Sequence, residues 1–505
     1  MAVSPSRPDA PVEPSGPGLR RTLSVWQAVG LSVALMAPSM AANINPQGTA
    51  TTVGRAVPLA FLLAAVGVLL VAYGFVRLTQ HFHHAGSVYA FVGATLGART
   101  GLVSGFALFG TYCFYGVVTS TAAGIFGTDF LAAIGVWPNP PSWAPFVLAV
   151  IALLGSLALT VAPARRGTSV LLSVEGATVA LILVISAIVL VRLLSGSAPG
   201  GQTFTWSVFS VPPGTDTSAL FLGIVFGFLS FAGFEAAATL GEEARHPRKD
   251  IPRAILGTAI FGGIYFTIVT AIEVMGFGAD DAGVQKFIAS GSLLGDLGRE
   301  YIAGWVGDLI TIGAAISAFG CCLACMVGAS RLAFAFARDL RREGTPQTGL
   351  AGTTRAGTPG AAAVLVVVVM AVIMLIEAIA GGGVPFSVFL WSGTIGTLIL
   401  LVAYVLTTIG AIKLVFVERA MPGVPMWQVV IPILALVVLG YTLWRNVYPF
   451  PSPSDGALFW NPIIAAAWVL ACIVVVAAIG PAARRAGAAL TAAELGSRQE
   501  EVGTR

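Results

Sequence analysis

The sequence predicts an all-α polytopic membrane protein with twelve transmembrane helices, and three observations carry that expectation. The 505 residues are 56% hydrophobic and only 10% charged, with a mean hydropathy of +0.89, whereas a soluble globular domain carries about 25% charge. Apolar runs of about twenty residues, the length needed to cross about 30 Å of hydrocarbon, recur along the chain. The 60 glycines exceed the average share of about 7%, which suits helices that pack closely without a hydrophobic driving force.

Taken in order, residues 1–20 are rich in Pro, Ser and Gly and lack a small-residue cleavage site. They read as a disordered cytoplasmic tail and not a signal peptide. Apolar windows then fall at 24–44, 57–77, 101–133, 144–162, 169–193, 218–240, 253–277, 303–337, 361–380, 385–411, 428–447 and 459–480. GSVYAFVGATLGA, between the second and third spans, reads as a short interfacial helix; 279–300 reads as an outer loop with a short helix, and 481–505 as a second cytoplasmic tail. Residues 21–411 thus hold ten spans and 412–480 two more. With the N-terminus inside, about 21 Lys and Arg fall on the cytoplasmic side and about 5 (Arg55, Arg192, Lys286, Arg299 and Arg445) outside. Adding or removing one span would scramble that asymmetry, so both termini of a cell-membrane protein are expected in the cytoplasm.

The net charge of +4 implies no nucleic-acid partner, because charge in such a chain reports loop orientation. The lipid bilayer is the expected surrounding, and no pattern sets an oligomeric state. Cys113, Cys321, Cys322, Cys325 and Cys472 all lie in apolar spans and read as small buried residues, CCxxC as a metal site being the lesser reading. His81, His83 and His84 sit at a cytoplasmic membrane edge, where headgroup contact is preferred over a metal.

Two spans are expected to break. In VGLSVALMAPSMAANINP, Pro38 removes a donor and clashes with the preceding turn, so the helix should open between Met36 and Met40, around Ala37, Pro38 and Ser39. In the sixth span, Ser230-Phe231-Ala232-Gly233-Phe234 is a poor helix stretch with a glycine between two aromatics. The breaks lie five spans apart. An odd repeat length inverts the second copy, and paired breaks at corresponding positions point to a substrate site between inverted repeats.

Glu235 lies just after the second break, roughly 10 Å inside the hydrocarbon counting from the Glu242-Glu243 pair at 1.5 Å per residue. A carboxylate there costs about 2.5–3.5 kcal/mol and should face a cavity or a partner. Glu175, in LLSVEGATVALIL, lies about 13 Å from the cytoplasmic side by the same count. Glu273, Asp308 and Glu377 fall toward the outer ends of their spans, where a solvated mouth is expected. Phe231 is a candidate aromatic lid or a packing residue, and Tyr112, Tyr115, Trp391 and Ser392 are candidate wall residues.

FAGFEAAATLGEEARHPRKDIPRAI, residues 231–255, closely resembles the sixth-span signature of the amino acid-polyamine-organocation permeases. ASRLAFAFARDLRREGTP, residues 329–346, is similar to their eighth-span signature. The resemblance covers residues 24 to about 411. It implies a LeuT-type five-plus-five inverted repeat, two further helices, and a substrate held at both breaks by Ala37, Pro38, Ser39, Met40, Phe231, Ala232, Gly233, Phe234 and Tyr112. It also implies that backbone N–H groups of the first break meet the substrate carboxylate while carbonyls of both breaks meet the ammonium. Relatives mostly carry a glycine-rich GxG-type motif where this chain has Ala37-Pro38-Ser39-Met40, and proton-coupled ones often carry a lysine where this chain has Glu175.

GxxxxGK[ST] is absent, as is any nucleophile paired with a His and an acid, so neither ATP-driven transport nor an enzyme is expected. The expected function is a secondary transporter of an amino acid or related amine, by proton symport or exchange, with Glu235 and Glu175 as the proton-coupling or gating groups. No cofactor is expected beyond a proton gradient. Sodium is less favoured, since only Ser317 offers a hydroxyl on the eighth span near the first break. The alternative is a non-transporting receptor or sensor on the same scaffold, which a large soluble signalling extension would favour.

Overall fold

A run of apolar residues without helix breakers has one way to satisfy its backbone in hydrocarbon, which is to wind into helix, and the architecture is that rule applied along the chain. The computed structural model describes residues 25–82, 88–162, 167–240, 244, 246–340, 349–354 and 358–480. Both expected tails, His83, His84 and the Glu242-Glu243 pair lie outside the described residues. Among the described residues there is no β-strand.

In chain order, α1 is Val25–Met36, α2 Pro38–Val53, α3 Val57–His81, α4 Val88–Leu96, α5 Ala98–Ala133, α6 Ala144–Val161 and α7 Gly167–Ser195. Then come α8 Leu220–Phe231, a 3-10 turn at Ala236–Leu240, α9 Pro247–Phe277, α10 Asp281–Ala289, α11 Leu293–Tyr301 and α12 Gly304–Asp339. The last four are α13 Gly360–Ala380, α14 Pro385–Ile412, α15 Val430–Arg445 and α16 Ala457–Ala478. Ten helical stretches among the described residues are long and apolar enough to cross a membrane; the first, Ala28–His81, runs through α1, α2 and α3, and Thr217–Phe231 is a shorter apolar helix.

Two features depart from the sequence expectation. The first span was expected to end near residue 44, yet α2 stays helical to Val53 and buries Asn43, Asn45, Gln47 and Thr49. The polar run reads locally as an exit to water, but each amide or hydroxyl meets a partner on another element: Asn43 Oδ1 accepts from the Leu294 N–H at 3.0 Å, Asn45 donates to Ser230 Oγ at 2.7 Å, Gln47 to the Ser290 carbonyl at 2.6 Å and Thr49 to the Gly223 carbonyl at 2.9 Å. The outer loop holds two short helices, α10 and α11, instead of one, and they seat the end of α2.

Helices sort into centre and rim by what they bury. Of the most apolar window of each, 78% is buried in α5 but only 22% around α15. The rim helices turn Leu154, Val191, Leu375, Val437 and Leu470 outward, the surface a bilayer covers. The most extensive contacts are α5 with α12, α3 with α9, and α14 with α5. Around this centre the two interrupted helices meet.

Candidate functional site

Proline disfavours the α conformation in the residue before it, so the helix cannot run through Ala37 into Pro38. Ala37 instead takes φ 44° and ψ 57°, the left-handed region, at a cost of about 1–2 kcal/mol for a residue with a Cβ. Pro38, with its fixed φ and missing N–H, then opens α2 at its first position, where the lost donor costs nothing.

The second break forms at the glycine. After α8 ends at Phe231, Gly233 adopts φ +106°, a conformation suited to glycine, and the chain re-forms only as the 3-10 turn Ala236–Leu240. The two breaks touch. A Cβ placed on Gly233 would lie 2.9 Å from Leu35 Cβ and 3.2 Å from the Met36 nitrogen, so bare backbone is what lets them approach.

Polar groups tie the breaks into the surrounding helices. Ser39 N–H donates to Glu175 Oε1 of α7 at 2.9 Å, and Met40 N–H to Ser317 Oγ of α12 at 3.3 Å. The Tyr265 hydroxyl of α9 donates to the Pro38 carbonyl at 3.3 Å, and the Ala237 N–H to Ser32 Oγ of α1 at 2.9 Å. Glu235 turns back on its own segment, where Oε2 accepts from the Gly233 N–H at 3.3 Å.

Beside the junction is a cavity of about 70 Å³. On the scale where one water takes about 10–15 Å³, that is room for roughly five waters. Its wall takes Met36 and Met40 from the first break, Ala232, Gly233 and Glu235 from the second, Tyr112 and Tyr115 from α5, and Cys321 and Cys325 from α12. Among the described residues Glu235 brings that wall its one carboxyl group.

Of the sequence-predicted site residues, Met40, Ala232, Gly233, Tyr112 and Glu235 therefore share one cavity, and Ala37, Pro38 and Ser39 form the backbone break behind it. Glu175 is not in the wall; it holds the N-terminus of α2. Phe231 is fully buried, with its ring 5.4 Å from that of Phe266, and belongs to the packing behind the break and not to the cavity wall. Phe234 stands in an aromatic triangle with Phe75 and Tyr404, at 5.7 and 5.8 Å.

The expected solvated mouth holds for one acid of three. Asp308 is part-exposed and pairs with Arg299 at 3.2 Å, in a network with Asp129 and Asp296. Glu273 is instead fully buried, neither oxygen having a hydrogen-bond partner among the described residues, and Glu377 is buried with Ser392 Oγ donating to it at 2.6 Å. Counting along a helix gives depth but not which neighbour covers the side chain. Ser392 is spent on that bond. Cys321 and Cys325, four apart and so on one helix face, are buried as expected and also contribute to the cavity wall. Their i, i+4 spacing on the span facing the first break was the available signal.

Comparison with known proteins gives a consistent result. The family model for "Amino acid permease" matches residues 29–484. The chain is 26% identical to the low-affinity putrescine importer PlaP of Escherichia coli over 331 residues, 64% of this chain and 68% of that one. It is 28% identical to the branched-chain amino acid permease BcaP of Bacillus subtilis over 307 residues, 57% and 61% of the two chains. Among solved structures it is similar to the manganese transporter of Eremococcus coleocola, with a TM-score of 0.54 at 14% identity, covering 95% of this chain and all of that one; that likeness concerns the fold. With a family match running through both breaks and the cavity between them, the chain belongs to the amino acid permease family, within the amino acid-polyamine-organocation superfamily.

Proposed function

We propose that the protein is a secondary transporter of a small amino acid or amine in the cytoplasmic membrane, binding its substrate in the cavity at the two helix breaks. The observation that carries the reading is the meeting of the breaks, with Gly233 packed against Leu35 and Met36 beside a cavity that holds Glu235. Paired interruptions around a midplane site are the arrangement by which repeat-built transporters alternate access.

Dividing Ala28–His81 at Gly54 and joining α8 to the 3-10 turn after Gly233 yields twelve spans, both termini lying on the cytoplasmic side by the Lys and Arg asymmetry. Spans one to five and six to ten then form two inverted repeats. That reading is supported by the most extensive helix pairs: α3 with α9 joins span two to seven, and α5 with α12 joins span three to eight, corresponding members of the two halves. The last two spans, α15 and α16, lie at the rim.

Coupling is assigned to protons, with Glu235 and Glu175 as the responsive acids. Both are carboxylates at the two breaks, Glu235 in the cavity wall and Glu175 holding the N-terminus of α2. The experiment is uptake of labelled substrate into proteoliposomes with and without an imposed pH gradient, for the wild type, Glu235→Gln and Glu175→Gln. Glutamine keeps most hydrogen bonds but cannot titrate. Loss of gradient-driven uptake in either variant is the expected outcome; an unaltered response in both would remove the proton role and leave gradient-independent exchange. A protein that binds substrate yet moves none would instead be a receptor.

A further inference from the structure

We infer that the substrate is a small amine without a carboxylate, bound as a cation by Glu235 and the carbonyl ends of the two interrupted helices; the inference rests on the transport reading above.

An α-amino acid presents an anion and a cation, and the donors for its anion would have to come from the N–H groups at the first break. Those donors are spent. Pro38 has none; Ser39 N–H is held by Glu175 at 2.9 Å, Met40 N–H by Ser317 Oγ at 3.3 Å, and Ala41 N–H by the Ala37 carbonyl at 2.8 Å. The partial positive charge of the α2 N-terminus already faces a carboxylate, that of the buried Glu175. The protein's own acid thus occupies the N-terminus of α2 and closes it to a second anion.

At the second break four N–H groups are likewise held. Ala232 N–H bonds the Leu229 carbonyl at 3.2 Å, Gly233 N–H the Glu235 carboxylate at 3.3 Å, Phe234 N–H the Phe231 carbonyl at 3.1 Å, and Ala236 N–H the Gly233 carbonyl at 3.0 Å. In the wall, Thr111 and Thr119 donate to the Gly396 and Tyr115 carbonyls and Tyr115 pairs with Thr397, which leaves the Tyr112 hydroxyl, a single neutral donor, among the described residues. Among the described residues no Lys, Arg or His lines the cavity.

What the cavity presents is negative. α1 ends at Met36 and α8 at Phe231, beside a cavity whose wall holds Met36 and Ala232; each helix C-terminus carries a partial negative charge, and Glu235 adds a carboxylate. An ammonium satisfies all three. A second carboxylate would sit near Glu235 in a low-dielectric pocket, where like charges disfavour each other strongly.

The test uses the full-length protein in proteoliposomes and matched pairs that differ by one carboxylate: putrescine with ornithine, cadaverine with lysine, isoamylamine with leucine. Each is scored by uptake and by competition against the best labelled member. For at least one pair the amine is expected to outcompete its parent amino acid by about tenfold or more. Glu235→Gln, at unchanged monodispersity in detergent, should weaken that amine by about tenfold or more. Glu175→Ala, which frees the Ser39 N–H, should narrow the ratio within the pair. Equal or better handling of the amino acid in every pair that is transported would overturn the inference and leave the transport reading standing. Failure of every amine and amino acid to bind would overturn both.

Discussion

At the first break the backbone is held from outside, and at the second it is held from within. Around Ala37 the groups that take up the freed donors and carbonyls come from α7, α9 and α12: Glu175, Tyr265 and Ser317. Around Gly233 the bonds are mostly short-range, between Leu229, Phe231, Gly233 and Glu235, with Ala237 to Ser32 and Asn45 to Ser230 among the long-range ones. A segment tied to three helices cannot shift without breaking bonds in each, whereas one bonded to itself can be rearranged by an incoming charge at the cost of local bonds. The contrast sets a first break anchored to three neighbouring helices against a second held mainly by its own bonds.

The largest effect should come from closing the gap between the two. Gly233→Leu places a side chain 2.9 Å from Leu35 Cβ at a φ of +106°, and uptake should fall to background while the protein remains inserted. Gly257→Leu, on an exposed face of α9 with nothing within 4 Å, is the control and should transport normally. Equal loss in both would mean that the junction is not special.

Next in size is Phe231→Ala. The ring is fully buried against Phe266, and truncating such an aromatic costs about 3–5 kcal/mol. The expected result is a marked fall in thermal stability in detergent with a smaller change in uptake per folded molecule. A selective loss of substrate affinity at unchanged stability would restore Phe231 to the site as a lid.

Smaller again is Glu175→Ala, which leaves the buried Ser39 N–H without its acceptor and should cost about 1–3 kcal/mol of stability. Glu175→Gln should cost less, because the amide oxygen still accepts. A difference scan of unfolding temperature across the two variants checks this, and equal losses would show that the charge, not the hydrogen bond, is what α2 needs.

The smallest is Ala37→Gly. Relieving a left-handed alanine should stabilise by about 1 kcal/mol or less, glycine's greater unfolded-state freedom offsetting part of the gain. A loss of stability would mean that the Cβ of Ala37 packs usefully enough to outweigh its conformational cost.

How much of this was legible depended on how local the cause was. Apolar runs, the helix break before Pro38 and the weak helix around Gly233 are visible because each depends on a few consecutive residues. The unusual position of Glu235 was also visible, since a carboxylate in an apolar run is anomalous whatever surrounds it. By contrast, the polar run Asn43 to Thr49 looked like an exit from the membrane, and Glu273 like a group near water, because side-chain polarity along one segment does not report which other segment covers it.

The sequence by itself therefore determined a helical membrane protein with two weak points and two deep acids, because solvent preference and backbone sterics act residue by residue. Only the tertiary structure decided that the weak points meet, that Phe231 packs outside the cavity wall, and that Glu235 faces the cavity while Glu175 holds the α2 N-terminus. The Ser39–Glu175 bond joins residues 136 positions apart. A contact of that kind is specified by the packing of whole helices, whose energy is spread over every side chain at their interfaces, so no local pattern in either segment announces it.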